Sequence, residues 1–275
     1  LGGTQREYPH SIVTNEAGDI YVMGTSGSLD FPTTIDAFQA DFNGGPFIDL
    51  GVNSFYGSFD AGCDIVISKI NGITGALDAS TFVGGTDNDG LNLGAKLNYN
   101  YGDVCRGEIN VDGTGDIWVA SSTRSADFPM VQAFDPALNG TCDAVVFRLN
   151  ENLEELEFSS YFGGNDDDAA FGIQFAANTD GLAYFTGGTK SNDLPATPGA
   201  YQPDLAGDVD GYIASVDYSG PFPALSVVTY FGTDDYDQAY FVQLDTEDRP
   251  HLCGQTTGSS MALVGDVYSD NPNGS

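Results

Sequence analysis

Apolar positions fall in short runs in which β-branched and aromatic residues alternate with small or polar ones, and Gly, Asn and Asp cluster between the runs. Helical periodicity is nearly absent, so the pattern predicts short strands joined by tight turns. Gly107-Glu108-Ile109-Asn110-Val111 runs into Asp112-Gly113-Thr114-Gly115 and leaves through Asp116-Ile117-Trp118-Val119, which reads as a hairpin with a Gly-rich turn. Val145 to Leu149 and Glu157 to Phe162 read as a second hairpin.

The pattern repeats. Leu1-Gly2-Gly3, Phe82-Val83-Gly84-Gly85, Tyr161-Phe162-Gly163-Gly164 and Tyr230-Phe231-Gly232-Thr233 recur at spacings of 82, 79 and 69 residues. Three further phrases follow in the same order. The first is Gly18-Asp19-Ile20-Tyr21-Val22, Gly115-Asp116-Ile117-Trp118-Val119 and Gly181-Leu182-Ala183-Tyr184-Phe185. The second is Asp30-Phe31-Pro32, Asp127-Phe128-Pro129 and Asp193-Leu194-Pro195, trailed by Ala37-Phe38-Gln39, Ala133-Phe134-Asp135 and Ala200-Tyr201-Gln202. The third is Cys63-Asp64-Ile65-Val66-Ile67, Cys142-Asp143-Ala144-Val145-Val146 and Asp210-Gly211-Tyr212-Ile213.

Each unit therefore predicts a four-stranded antiparallel meander. Four strands in about 65 to 70 residues point to an all-β fold built from β-propeller blades, because solenoid coils use about 20 to 45 residues per repeat. The units span 1–85, 86–164, 165–233 and, in part, 234–275. Ile12, Ile109, Ile173 and Val242 are expected on the strand lining a central channel, with Tyr21, Trp118 and Tyr184 filling the wedge between blades.

The phrases resemble the SBBP-type β-propeller repeat of bacterial surface proteins. Ser80-Thr81-Phe82-Val83-Gly84-Gly85, Ser159-Ser160-Tyr161-Phe162-Gly163-Gly164 and Thr197-Pro198-Gly199-Ala200-Tyr201-Gln202 carry the match, which covers nearly the whole chain. The resemblance implies a module of a very large secreted Bacteroidetes protein, exported by the type IX system and linked to gliding or adhesion.

Two units depart from the bare repeat. The first carries an insertion over about residues 42–60, and the second over about 91–104, containing Asn98-Tyr99-Asn100-Tyr101. Such loops emerge at one rim of a propeller, which makes them first candidates for ligand binding; the alternative is that they shield blade edges or contact a neighbouring domain. The chain starts inside one repeat and stops inside another. About three and a half blades would not close a ring of six to eight, so the expectation is a part of a longer chain.

Charge changes the choice of partner. Lys and Arg total 8 against 40 Asp and Glu, a formal charge of −32, which argues against nucleic acid and against binding to anionic membranes. Such a surface suits high salt or bound divalent cations. With 41% hydrophobic residues, 18 Phe and 14 Tyr, the chain is nevertheless a core-former. No signal peptide or transmembrane run is visible.

Acidic loops after the Gly pairs are the candidate site chemistry: Asp87 and Asp89; Asp166, Asp167 and Asp168; Asp234, Asp235 and Asp237. Oxygen ligands crowded in short loops suit Ca²⁺, although the EF-hand spacing is missing. The alternative is that Asp and Asn cap tight turns. Cys63, Cys105, Cys142 and Cys253 form no C-x-x-C motif. Cys63 and Cys142, equivalent in successive blades, are too far apart to bond; a Cys105–Cys142 bridge is conceivable, and Cys253 is expected as an unpaired, half-buried thiol.

No catalytic constellation is recognised. The two histidines, His10 and His251, stand beside no nucleophile motif, and no Gly-x-Ser-x-Gly elbow exists. Residues 112–118 depart from a sialidase-type Asp box in spacing. Three functions follow as expectations: a non-catalytic extracellular surface module for adhesion, gliding or protein–protein interaction, with other domains of the same chain, surface proteins or type IX components as partners; a carbohydrate-binding or carbohydrate-cleaving propeller; and a subunit of an extracellular filament or secretion-associated assembly.

Overall fold

The computed structural model describes residues 1–51, 57–94, 96–100 and 102–259. The end of the fourth predicted unit and parts of both insertions, including Tyr101, lie outside the described residues.

The protein is all-β. The first four-stranded antiparallel sheet contains β1 (Glu7–Thr14), β2 (Ile20–Ser26), β5 (Asp64–Ile70) and β6 (Leu77–Val83) in that order, with a small hairpin, β3 (Ile48–Asp49) and β4 (Ser58–Phe59), between its second and third strands. The second sheet runs β7 (Glu108–Val111), β8 (Ile117–Thr123), β9 (Asp143–Leu149), β10 (Leu156–Phe162). The third runs β11 (Asp168–Phe175), β12 (Leu182–Thr189), β13 (Asp210–Asp217), β14 (Ala224–Phe231), and a two-stranded ladder follows, β15 (Asp237–Leu244) with β16 (Pro250–Thr256). These sheets are consistent with blades; no closed ring is formed by the described residues.

Each predicted phrase has a visible structural use. The Asp112 to Asp116 turn closes β7 onto β8 because the Asp112 carboxylate accepts from the Thr114 and Asp116 amides at 2.8 and 3.1 Å, while Gly115 supplies φ +96°. Asp112 also accepts from the Trp118 indole at 2.9 Å, so this turn serves the core.

The sheets stack face to face, with β1, β7, β11 and β15 neighbours in series. One core joins Tyr21, Met23, Ile65 and Ile67 of the first sheet to Val119, Val145, Phe147 and Tyr161 of the second. A second joins Trp118, Ala144 and Phe162 to Phe185, Tyr212 and Tyr230 of the third. Fully burying an aromatic or large aliphatic side chain stabilises by about 1.5–3 kcal/mol, which makes these faces the main adhesive between sheets. Ile109, Ile173 and Val242, expected on a channel-lining strand, are buried between sheets, whereas Ile12 is 67% exposed. The difference has a geometric cause: among the described residues β1 has a neighbouring sheet on one side only.

The first strands share an irregularity. Register slips at Pro9/Ser11, Ala170/Gly172 and Ala239/Phe241, so His10, Phe171 and Tyr240 are the extra residues of equivalent β-bulges. In the second unit the corresponding place holds the 91–104 insertion.

Candidate functional site: the acidic junctions between sheets

Between one sheet and the next, the chain turns through a Gly-rich link whose acidic residue, four positions after the second Gly, reaches back to it. Gly3 N donates to Glu7 Oε1 at 3.0 Å, Gly85 N to Asp89 Oδ2 at 2.8 Å, Gly164 N to Asp168 Oδ2 at 2.8 Å and Thr233 N to Asp237 Oδ2 at 2.6 Å. The end of the second strand supplies hydroxyls. Ser28 Oγ donates to Glu7, Ser125 Oγ to Asp89 at 2.9 Å and Ser191 Oγ to Asp168 at 2.7 Å. The same serines accept from Gln5, Asp87 and Asp166 amides at 2.8, 2.9 and 3.0 Å. Two residues further on, Asp30, Asp127 and Asp193 accept from the amides of Thr4, Thr86 and Asn165 at 2.8–2.9 Å.

A second carboxylate approaches from the start of the third strand. Asp64 accepts from Asn43 and Gly44 amides at 2.7 and 3.0 Å, Asp143 from Asn139 and Gly140 at 2.8 and 2.9 Å, and Asp210 from Ala206 and Gly207 at 2.7 and 3.1 Å. The first Gly of the pair lets the two acids close in. A Cβ on Gly84 would stand 2.8 Å from both the Asp64 carboxyl and Asp89 Oδ2; one on Gly163 would stand 2.6 Å from Asp168 Oδ2 and 3.0 Å from the Asp143 carboxyl carbon.

Burial disfavours the ionised form of Asp64, Asp89, Asp143, Asp168 and Asp210, and a nearby carboxylate adds to the rise at all of them but Asp64. Asp64 and Asp143 are each pushed up to about 6, and Asp168 to about 7, from an ordinary value near 3.8. Asp89 is held well above that value by burial, with Asp64 adding to the rise, and Asp210 is raised by burial with Asp237 contributing. Hydrogen bonds from amides and hydroxyls oppose the shift at every one.

The eight acids of the predicted Ca²⁺ set are thus divided. Asp89, Asp168 and Asp237 are the buried clamps. Asp87 caps the Asn88 amide at 2.7 Å, Asp166 pairs with Lys190 at 2.6 Å and caps the Asp167 amide, Asp167 accepts from Thr141 Oγ1, and Asp235 caps the Tyr236 amide at 3.0 Å. Asp234 sits in the same fourth loop. Among the described residues no three acidic, His or Cys side chains converge to hold a metal. The Asp168 and Asp237 Oδ1 atoms are buried without a hydrogen-bond partner.

Sequence reasoning missed half of this arrangement. Asp64, Asp143 and Asp210 stood in a repeated phrase and Ser28, Ser125 and Ser191 lie just ahead of another, but only the fold shows that both sets meet the Gly pair. The serines recur two residues before each Asp-Phe/Leu-Pro, and the acids recur at the head of each third strand, which was the available signal.

The described parts of both insertions pack against the first strands of the sheets. Leu91, Leu97, Asn92 and Asp103 are fully buried. Leu97 packs with Phe171, Tyr236 and Tyr240, while Leu91 packs with Phe59 and Cys63 and, more peripherally, Tyr8 and Cys105. Asn100 Nδ2 donates to Tyr240 Oη at 2.7 Å, Gln238 Nε2 to Leu97 O at 3.0 Å, and the Arg106 guanidinium lies 3.9 Å from the Tyr240 ring centroid. The second-unit insertion therefore reaches past the third sheet's first strand to hold the β15–β16 ladder.

All four cysteines are free, which corrects the Cys105–Cys142 pairing. Cys105 belongs to the cluster around Cys63 and Leu91, whereas Cys142 is buried at the entry to β9. Cys253 is exposed rather than half-buried, because it lies on β16, whose described part pairs on one edge with β15. His10 Nε2 meets Thr25 Oγ1 at 3.1 Å, but its Nδ1 has no partner and burial pulls its pKa down to about 4. Without a carboxylate to orient the ring, the pair lacks the third member of a triad. His251 is exposed beside Asp245 at 3.3 Å.

Neither the protein-family models nor the curated proteins contain a match to this chain. No helix among the described residues is long and apolar enough to cross a membrane.

Proposed function

We propose that this chain is a non-catalytic β-propeller module of a secreted surface protein, working in adhesion, gliding or protein–protein interaction. One observation carries the reading: the side chains with site chemistry are committed to holding sheets together. The buried acids bind link amides and strand hydroxyls, Asp112 caps a turn, and the insertions pack against the inner strands rather than opening a cleft. The resemblance to surface-protein repeats supports the same role, and a rigid stack of sheets offers broad outer surfaces for partners. Partners would be other domains of the same chain, surface proteins or components of the export system.

The test has two arms. Purified chain should show no turnover on glycan and peptide substrates, and cells lacking the parent protein should attach or glide poorly. Hydrolysis that survives in the wild-type preparation and disappears in a carboxylate variant would overturn the non-catalytic assignment.

A further inference from the structure

The three complete units differ at one position that their repetition makes easy to see. Gln39 and Gln202 occupy the same place in the first and third units, where Asp135 stands in the second. Gln39 Oε1 accepts from Gly84 N at 3.1 Å, and Gln202 Oε1 accepts from Gly232 N at 3.0 Å while its Nε2 donates to Asp210 Oδ2 at 2.7 Å. The glutamine side chain thus reaches across to the amide of the link's first glycine and covers it.

Asp135 is one methylene shorter and does not make this crossing. Its carboxylate instead accepts from Ala137 N at 3.2 Å and Asn139 Nδ2 at 3.0 Å. Asn139 is displaced in turn. Its counterpart Asn43 donates to Gly84 O at 3.1 Å, whereas Asn139 Nδ2 is held by Asp135 and by Ala137 O at 3.2 Å. Both side-chain bonds that cover the peptide groups of the first glycine in the first unit are therefore absent at Gly163.

A cavity of about 510 Å³ lies at this place, lined by Asp135, Asn139, Gly163 and Asp193 on its polar side and by Phe134 and Phe162 among its apolar residues. Its size falls in the range of small-molecule sites, roughly 300–1,000 Å³. The lining combines carboxylate acceptors, an amide and an uncovered glycine peptide with aromatic carbon. A bare cation would leave the Gly163 N–H unused, and an anion would meet two carboxylates. A neutral polyhydroxylated ring uses both kinds of polar partner and lays its apolar face on the aromatic carbon.

We propose that the junction between the second and third sheets is a binding site for a single neutral sugar residue, opened by Asp135 in place of the sealing glutamine. The proposal rests on the adhesion reading and names a ligand class for it.

Wild-type chain and D135Q would be titrated with methyl glucoside, methyl galactoside and methyl mannoside by protein-observed NMR, with CaCl₂ as a separate titrant. The substitution restores the glutamine that seals the first and third units, so the variant is expected to fold with equal or higher melting temperature. The expected result is saturable binding of at least one glycoside, with shifts near Gly163 and Asn139, and affinity at least ten-fold weaker in D135Q. A second variant, N139A, should also weaken binding without closing the cavity. Absence of glycoside binding to wild type, unchanged affinity in D135Q, or shifts at Gly163 produced by CaCl₂ alone would each overturn the proposal. Such failure leaves the non-catalytic reading standing, since that reading fails only on turnover or unimpaired attachment.

Discussion

Asn100 and Tyr240, 140 residues apart in sequence, meet through an amide-to-phenol hydrogen bond of 2.7 Å. The bond ties the second-unit insertion to the fourth unit's first strand, and Arg106 stacks on the same ring at 3.9 Å from its centroid. Arg106 is itself held by the buried Asp103 at 2.8 Å.

Substituting Arg106→Ala should therefore loosen one end of the molecule selectively. The cation–π contact contributes about 0.5–2 kcal/mol, and the variant also leaves the buried Asp103 without its ion-pair partner. Amide exchange in β15 and β16 should accelerate while β5 and β6 remain protected. Uniform acceleration through all sheets would show that the insertion does not act as a local tie.

Gly163→Ala should destabilise the protein by about 1–3 kcal/mol, the usual cost of forcing atoms into a packed site. The new methyl would meet Asp168 Oδ2 and the Asp143 carboxyl, both anchored by backbone amides. Gly220→Ala, where a Cβ meets nothing, is the control and should leave the chemical-denaturation midpoint near wild type.

Acidification should stabilise the fold before it destabilises it. Asp64, Asp143 and Asp168 have folded-state values of about 6, 6 and 7, above the unfolded value near 3.8, so the folded chain binds more protons between about pH 4 and 7. Stability must then fall as pH rises through that window. Asp30, Asp127 and Asp166 are lowered instead, and their contribution is lost only in stronger acid. Thermal melts followed by the buried, single Trp118 should show a higher melting temperature at pH 5 than at pH 7.5. The slope should persist in high salt, which screens the general repulsion of a −32 chain, and should be smaller in D168N. A melting temperature that climbs steadily from pH 5 to 7.5 would contradict the burial of these acids.

Thiol chemistry offers a simple check on the outer strand. Cys253 is exposed, while burial pushes Cys105 and Cys142 up to about 12 and Cys63 well above its ordinary value. An aromatic disulfide reagent at pH 8 should label one thiol per native chain quickly, and the others only after denaturation. Rapid labelling of C253S would place a second thiol at the surface.

Chelation should leave the melting temperature unchanged at matched ionic strength, because among the described residues no group of three acidic, His or Cys side chains converges on a metal position. A ligand selective for the folded state raises stability by RT ln(1 + [L]/Kd), so a rise with added Ca²⁺ reversed by chelator would assign the Asp loops to metal.

Much of the architecture was legible because strand patterning and turn chemistry are local. The short β-branched and apolar runs in residues 64–70 and 143–149 place strands directly, and Asp112 with Gly115 specifies a hairpin within a few residues. Burial was less legible. Ile12 and Ile109 are equivalent in sequence, yet one is 67% exposed and the other 2%, because a neighbouring sheet and not the residue decides the outcome. The candidate site was partly legible in the same way: Asp89 and Asp168 were singled out as acids in repeated loops, but their partners Asp64 and Asp143 come from a different phrase.

The sequence by itself determined an all-β chain of repeated four-strand units, since periodicity, glycine placement and turn acids act over a few residues. Tertiary structure alone decided that two acids from separate strands face one glycine, that the second insertion reaches Tyr240, and that Asp135 does not reach the glycine amide its glutamine counterparts cover. Those outcomes depend on which sheet faces meet and on how far a side chain reaches across the gap, and neither distance is written in local pattern.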